Sequence, residues 1–190
     1  MLDKSVPYAG FFMRRKGNAP LFVQGLPEGY RYKFYTDGDE VFWASIEASV
    51  LEFESEFSAL MFFKENFLDE RFELYRRCLF IEDADGVKVA TATAWWSLVN
   101  GQRCPWLQWV GVSPSCQGLG LGKAIISKVT ELMTELEGDA DIFLKTQTWS
   151  YKAVGIYRSC GFEPTDEKAL YIEKQYNYKK AMRILKRLKR

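Results

Sequence analysis

The chain has 190 residues, of which 47% are hydrophobic, so it can bury one full core, and we expect a single domain over residues 1–190. Its 26 basic and 25 acidic residues leave a net charge of +1, which excludes an overall attraction to nucleic acid or to an anionic membrane, and we expect neither as a partner. We expect a cytoplasmic protein, because no apolar run could span a membrane and the first residues do not have the pattern of a secretory signal.

The first half of the chain predicts one strand, two helices and a strand hairpin. Residues 1–29 show no periodicity and are treated as an amino-terminal extension. Asp37 or Asp39 is a candidate cap for the first helix, and the Asp-Gly turn within 83–86 predicts the hairpin. In chain order, the predicted elements are a strand over 30–35, helices over 41–52 and 55–67, and hairpin strands over 76–82 and 88–96.

The second half predicts strands that alternate with helices around a glycine-containing loop. Apolar residues at i, i+3, i+4 and i+7 spacing indicate a helix that Gly138 ends. From Gly161 the chain predicts an irregular segment that includes Pro164. The predicted elements are a strand over 106–112, a helix over 123–137, a strand over 141–148, a helix over 150–160 and a basic helix over 177–190. This order indicates a mixed α/β fold.

Three glycines at alternate positions within 117–123 lie between a predicted strand and a predicted helix. Glycine lets the backbone turn N–H groups toward an anion, and the helix adds the positive end of its dipole, so the loop predicts a phosphate or pyrophosphate site. The dinucleotide fingerprint would need a glycine at Lys123. The P-loop would need a glycine at Gln117 and a hydroxyl at Ala124, so neither pattern fits.

The pattern that remains is Gln117-x-x-Gly120-x-Gly122, preceded by Val112-x-Pro114. It resembles the pyrophosphate loop of the GNAT superfamily of N-acetyltransferases, which binds the pyrophosphate of coenzyme A. The resemblance implies a GNAT-like fold over most of the chain: a central, mostly antiparallel twisted sheet that is flanked by helices, splayed at the cofactor-binding strand, and closed by a terminal strand.

A second stretch, residues 150–162, is similar to the family pattern N-x-x-A-x-x-x-Y-x-x-x-G-F. Ala153, Tyr157 and the pair Gly161-Phe162 match it, while Ser150 stands where the family more often has asparagine. The departure weakens one polar contact to the pantetheine arm of the cofactor.

The resemblance implies an acetyl-CoA-dependent N-acetyltransferase that acts on a primary amine of a small molecule or a peptide. It makes Tyr157 the acid that protonates the leaving sulfur. A backbone N–H within 110–112 would hold the oxyanion, and Gly111 is expected at a bulge there. The residues that the resemblance places at acetyl-CoA are Val110, Gly111, Val112, Gln117, Gly118, Leu119, Gly120, Leu121, Gly122, Lys123 and Ser150.

A general base is not evident in the sequence, because the chain has no histidine. A water relay is a candidate for this role. The resemblance places Glu47, Glu52 and Glu54 in helices that border the acceptor groove, and we expect them on a solvated helical face. The four cysteines are widely spaced, which predicts reduced thiols and no metal site. Most tryptophans are expected in the core; the alternative is that one or two favour an aromatic, apolar or cationic amine.

Three further readings stay open. A non-catalytic acyl-CoA-binding regulatory module would keep the loop without turnover. The basic helix over 177–190 is expected to dock its apolar side on the domain, and contact with RNA or a membrane, including RNA-linked acetylation, is the weaker alternative. Residues 1–29 would cover the acceptor groove or contact a second copy in a homodimer.

Overall fold

A computed structural model describes residues 2–167, 170 and 176–188. Within them, seven strands form one sheet and six α-helices flank it. The strands are β1 (Gly10–Arg15), β2 (Arg31–Phe34), β3 (Cys78–Glu82), β4 (Lys88–Val99), β5 (Gln102–Val112), β6 (Ile142–Gln147) and β7 (Glu163–Thr165). The helices are α1 (Glu40–Ser49), α2 (Glu56–Phe67), α3 (Arg71–Arg77), α4 (Leu121–Glu137), α5 (Tyr151–Ser159) and α6 (Tyr178–Leu188).

The sheet has the order β2-β3-β4-β5-β6-β1-β7 and is antiparallel except between β5 and β6. Those two strands run parallel, and in the described residues they pair at one position, Trp106 with Phe143. Beyond this pair the strands diverge toward the ends that carry the glycine loop and α5. The predicted mixed α/β fold, with a mostly antiparallel sheet splayed at the strand before the loop, is confirmed.

Each face of the sheet carries its own core, because successive side chains of a strand point to opposite faces. Leu79 of β3 belongs to the core that includes residues of α4 and α5, and its neighbour Phe80 belongs to the core that includes residues of α1 and α2. In β4, alanines such as Ala92 face α4, whereas Trp95 faces α2. Small residues on one face and large rings on the other let helices approach both sides of the same strands.

Three parts of the sequence prediction are wrong. Residues 10–15 form β1, which the sequence did not predict because the strand lies between β6 and β7 and is buried on both faces, so it lacks polar alternation. Residues 76–77 end a helix rather than begin a strand, since Arg77 is drawn into ion pairs with Glu73 and Glu137. Residues 163–165 form β7 on the outer side of β1 instead of an irregular segment.

The sequence predicts the packing of α6 correctly but not the cap of α1. Asp39 occupies the N-cap position of α1, yet its carboxylate accepts hydrogen bonds from the backbone N–H and hydroxyl of Thr36 and caps no helical N–H group. The basic helix α6 is present and buries Ala181 and Leu185 against the core, as its apolar stripe predicts. Residues 189–190 of the predicted helix lie outside the described residues.

In the part of the chain that the structure describes, no helix has both the length and the apolar character that a membrane crossing requires.

Candidate active site

A cavity of about 940 Å³ opens where β5 and β6 diverge. Its walls come from both faces of the sheet: Leu121 and Tyr157 belong to the core that faces α4, and Phe67 and Trp95 to the core that faces α1 and α2. The cavity therefore passes between the two strands. We call the part beside residues 117–123 the loop side. The aromatic side is the part lined by Phe62, Phe67, Trp95, Trp96 and Trp109.

The loop side has the geometry of an anion site. Gly118 and Gly120 have φ angles of 85° and 86°, a region that disfavours other residues, and a Cβ at either position would meet no atom within 4 Å. The loop therefore opens onto free space at the amino terminus of α4, a helix of 17 residues. The Gln117 side chain donates a 2.9 Å hydrogen bond to the carbonyl of Val112 and closes the base of the loop.

Most of the residues predicted at the cofactor do line this cavity. Gly111 and Leu119 do not: Gly111 points toward α1, and Leu119 is about half exposed to solvent. The predicted residues in the lining are Val110, Val112, Gln117, Gly118, Gly120, Leu121, Gly122, Lys123, Ser150 and Tyr157.

The bulge expected at Gly111 lies just before it. Gly111 pairs with Thr91 and Gln108 pairs with Thr93, so two residues of β5, Trp109 and Val110, stand opposite one residue of β4. Trp109 has a φ angle of 52°, which is costly for a large side chain. The bulge breaks the regular ladder where β5 passes the cavity.

Gly111 is required for a different reason, the close approach of α1. A Cβ at Gly111 would lie 2.8 Å from Oε1 of Glu47 and 2.8 Å from Cγ2 of Ile46. The absent side chain therefore lets the Glu47 carboxyl lie directly against β5. The sequence could not show this, because the two elements are far apart along the chain.

Replacing Gly111 with alanine should destabilise the protein by about 1–3 kcal/mol, because the added methyl overpacks the contact between α1 and β5. Urea unfolding of the purified variant measures this free energy. Gly25→Ala is the matched control, since a Cβ there meets no atom within 4 Å, and its change should stay within about 0.5 kcal/mol. Equal stability of the two variants would contradict the proposed role of Gly111.

Two carboxyl groups and a phenol meet in the cavity. Glu47 is 1% exposed, and its Oε1 has no hydrogen-bond partner among the described residues. Burial, with a smaller contribution from the charge of Glu52, raises the pKa of Glu47 well above its usual range. Burial also raises the pKa of Glu52, although this carboxyl is open to the cavity and accepts a 3.2 Å hydrogen bond from Gln147.

Tyr157 lies in the same cavity and is buried. Burial, followed by the charges of Glu52 and Glu47, raises the pKa of its phenol above the ordinary value of about 10. The phenol therefore stays protonated at neutral pH. The charges of the two carboxyls thus disfavour ionisation of the phenol, and the charge of Glu52 also disfavours ionisation of Glu47.

The expectation of a solvated face is wrong for Glu47 and holds for Glu52 and Glu54, which are both exposed. The sequence did not indicate that Glu52 also lines the cavity. The signal that could have identified Glu47 is its position one helical turn after Trp43, on the buried stripe of α1. Phe62 and Phe67 of α2 also line the cavity, and the sequence does not identify them as site residues.

The tryptophans divide between the site and the core. Trp95, Trp96 and Trp109 line the cavity. Trp106 packs on Phe143 in a separate core cluster. The amino-terminal extension also reaches the site, since its residues Leu2, Tyr8 and Gln24 contribute to the lining.

Comparison with known proteins gives a consistent result. A family model described as the acetyltransferase (GNAT) family matches residues 39–162, whereas no curated protein matches the chain. The solved structure of a GCN5-related N-acetyltransferase from Sphaerobacter thermophilus is similar, with a TM-score of 0.67 and 21% identity over 84% of this chain and 49% of that one.

Two further solved structures are similar in fold. An acetyltransferase from the GNAT family of Colwellia psychrerythraea gives a TM-score of 0.63 at 12% identity, over 86% of this chain and 55% of that one. A tandem GNAT protein from the clavulanic acid biosynthesis pathway gives 0.61 at 18% identity, over 86% and 52%. The chain spans about half the length of these structures, and at such identities the likeness is one of fold.

Proposed function

We propose, from the premise that this chain belongs to the GNAT family of acetyltransferases, that it transfers the acetyl group of acetyl-CoA to a primary amine of a small molecule or a peptide. One observation carries the proposal. A cavity between two diverging strands joins an open glycine loop at the start of a long helix to a cluster of two buried groups, Tyr157 and Glu47, and one exposed carboxyl, Glu52. An anion site and a proton-transfer site thus share one space.

The loop side fits the donor. Acetyl-CoA supplies an acetyl group as a thioester together with a pyrophosphate. Backbone N–H groups within 118–122, added to the positive end of the α4 dipole, suit the pyrophosphate, and Lys123 adds a positive charge. The backbone of 110–112, beside the bulge of β5, would pair with the pantetheine arm, and Ser150 would contact it from the opposite wall.

Glu47 is our candidate for the general base. An amine resembles lysine, with a pKa of about 10, so it must lose a proton before its nitrogen can attack. A carboxyl whose pKa is raised is a better match for that proton than an ordinary one. Glu47 accepts the ammonium proton and releases it to solvent. The free nitrogen then forms a bond to the acetyl carbon, and the ionised Glu47 accepts the second nitrogen proton as the adduct collapses. A backbone N–H within 110–112 stabilises the charge that develops on the acetyl oxygen.

Tyr157 completes the transfer as the acid. Its phenol donates a proton to the sulfur as the carbon–sulfur bond breaks, which leaves the amide and coenzyme A as products. The burial and the carboxyls that raise the pKa of Tyr157 would also raise the pKa of a thiol leaving beside it, so the proton transfer stays nearly balanced. A proton passing from Glu47 to the Tyr157 phenolate then restores both groups.

Replacing Glu47 with glutamine should lower kcat/KM about 100-fold and remove the part of its rise with pH that follows ionisation of this carboxyl. The rise that comes from deprotonation of the amine should remain. The folded-state pKa of Glu47 lies above its unfolded value of 4.5, so the folded state holds this proton more tightly. The parent should therefore lose stability as pH rises from 4.5 through the folded pKa, and the variant should lack that loss.

Rate profiles between about pH 5 and pH 9 measure the effect on kcat/KM, and thermal melts over the same range measure the effect on stability. Glu54→Gln is the matched control, since Glu54 is exposed and does not line the cavity. A Glu47→Gln variant that keeps the pH dependence of the parent would assign the base elsewhere, with Glu52 as the nearest candidate.

The first test of the proposed function is calorimetric titration of the protein with acetyl-CoA, followed by thioester consumption across a panel of amines. Saturable binding and amine-dependent release of coenzyme A are the expected results. Binding with no turnover on any amine would favour the alternative, a non-catalytic acyl-CoA-binding module. Absence of binding would reject both functions.

A further inference from the structure

We propose that the aromatic side of the cavity selects the acceptor, and that the acceptor is a small primary amine on a short chain that ends in a flat aromatic ring. This inference rests on the proposed function, because it assigns the second substrate of the same site. It goes beyond the family assignment, which identifies no acceptor.

The rings of the aromatic side are held in place by one another. Phe62 meets Trp109 edge to face, with 4.9 Å between ring centroids, and Phe67 meets Trp95 in the same way at 5.1 Å. Trp96 stacks on Trp95 at 4.2 Å. Such mutual contacts fix the orientation of each ring before any ligand arrives, so little side-chain entropy is lost on binding.

The backbone supports the same arrangement. Trp109 adopts a left-handed conformation within the bulge of β5, and its ring contacts Trp43, Phe53 and Phe62. Strain of this kind persists where surrounding packing enforces it, and it is common at binding sites. Here it turns a large ring toward the cavity at the point where the strand passes the acid cluster.

Two arginines lie over the ring of Trp96. The guanidinium of Arg103 lies 4.1 Å from the centre of the Trp96 ring, and that of Arg77 lies 5.2 Å away. Arg77 and Arg103 also pair with Glu137, so their charges are compensated outside the cavity. Trp95 and the two arginines thus hold the Trp96 ring in place where it lines the cavity.

Two carboxyls favour a cation at one place in the cavity. Glu47 and Glu52 line it together with the aromatic residues, and Lys123, Lys145 and Lys152 line it as well. The carboxylates would attract an ammonium group to the position from which it gives up its proton. An amine nitrogen next to the carboxyls places its own substituent against the rings of Phe62 and Trp109. An aromatic substituent fits best there, because it can form edge-to-face contacts that a hydroxylated or purely aliphatic chain cannot.

The experiment compares three amines by calorimetry: 2-phenylethylamine, ethanolamine and an Nα-acetyl-lysine amide. Each is titrated into the protein with and without coenzyme A, so binding is measured independently of turnover. We expect 2-phenylethylamine to bind at least tenfold more tightly than the other two. Equal affinities, or tighter binding of the lysine derivative, would overturn the assignment of an aromatic acceptor.

The same titrations distinguish this inference from the proposed function. If coenzyme A and acetyl-CoA bind and the protein acetylates ethanolamine or the lysine derivative as well as 2-phenylethylamine, the acetyltransferase function stands and the acceptor class is wrong. If neither coenzyme A nor acetyl-CoA binds, the proposed function fails, while the titrations without coenzyme A still report on the aromatic side.

A variant on α2 locates the effect. Phe62→Ala should weaken binding of 2-phenylethylamine at least fivefold and leave binding of acetyl-CoA unchanged. Phe57→Ala is the matched control, because Phe57 lies on the same helix, is 73% exposed and does not line the cavity. Phe62→Leu keeps an apolar side chain without the ring, so the same loss there separates ring recognition from misfolding. Unchanged amine affinity in both Phe62 variants would overturn the proposal.

Discussion

Gly120→Glu should abolish saturable binding of acetyl-CoA, with a loss of affinity of at least about 100-fold, because three effects act in the same direction. Gly120 has a φ angle of 86°, so any side chain there strains the backbone by about 1–3 kcal/mol. The new carboxylate would repel the pyrophosphate. It would also occupy the open space before α4, where the helix dipole attracts an anion.

Calorimetric titration with acetyl-CoA measures the loss, and Gly138→Glu is the control. Gly138 ends the same helix with a φ angle of 69°, and a Cβ there also meets no atom within 4 Å, so the variant also places a side chain at a positive φ angle and introduces the same charge. Gly138 has a ψ angle of −154°, outside the left-handed helical region that Gly120 occupies, so the control carries at least as much backbone strain as the test variant. It should bind acetyl-CoA like the parent protein, because it lies at the opposite end of α4 from the loop. If both variants lost binding equally, the effect would be one of folding and the loop would have no special role.

Tyr157→Phe should lower kcat about 100-fold and change the dissociation constant of acetyl-CoA less than threefold. The variant keeps the ring that packs against Phe162 and removes the hydroxyl that would protonate the sulfur. An interaction made only in the transition state affects turnover and leaves binding of the donor unchanged. Steady-state rates with a saturating amine, together with calorimetry, separate the two quantities.

Tyr151→Phe is the matched control for this variant. Tyr151 begins the same helix α5, is partly exposed and does not line the cavity, so its variant should retain the turnover of the parent. A Tyr157→Phe variant that loses donor binding and turnover to the same degree would show that the hydroxyl supports the cavity and is not the acid.

The parts of the site that the sequence predicts are those encoded within a few residues. The glycine loop 117–123 and the segment 150–162 are short patterns whose spacing depends on local backbone geometry, so one chain is enough to recognise them. The hairpin formed by β3 and β4 is predictable for the same reason, since its Asp-Gly turn lies between two strands that pair with each other.

The parts that the sequence does not predict depend on contacts between distant segments. The burial of Glu47 on α1 requires a glycine, Gly111, on β5, which is distant in the sequence. The left-handed conformation of Trp109 requires packing from α1 and α2. The aromatic side forms only when α2 and β4 are brought to one wall of the cavity. Helical and strand periodicity describes each element but not which elements meet.

The position of β1 bears on the order in which the protein folds. Its residue Gly10 pairs with Gln147 of β6, and Phe12 pairs with Thr165 of β7. A strand near the start of the chain therefore pairs only with strands from its last third. Contacts between segments so far apart in sequence cost loop-closure entropy and form late. β6 is one wall of the cavity, and until β1 joins it this wall is an unsupported edge. We therefore expect the loop side of the cavity to form after β2, β3, β4 and β5 have paired. Refolding monitored by acetyl-CoA binding should show this as a late step.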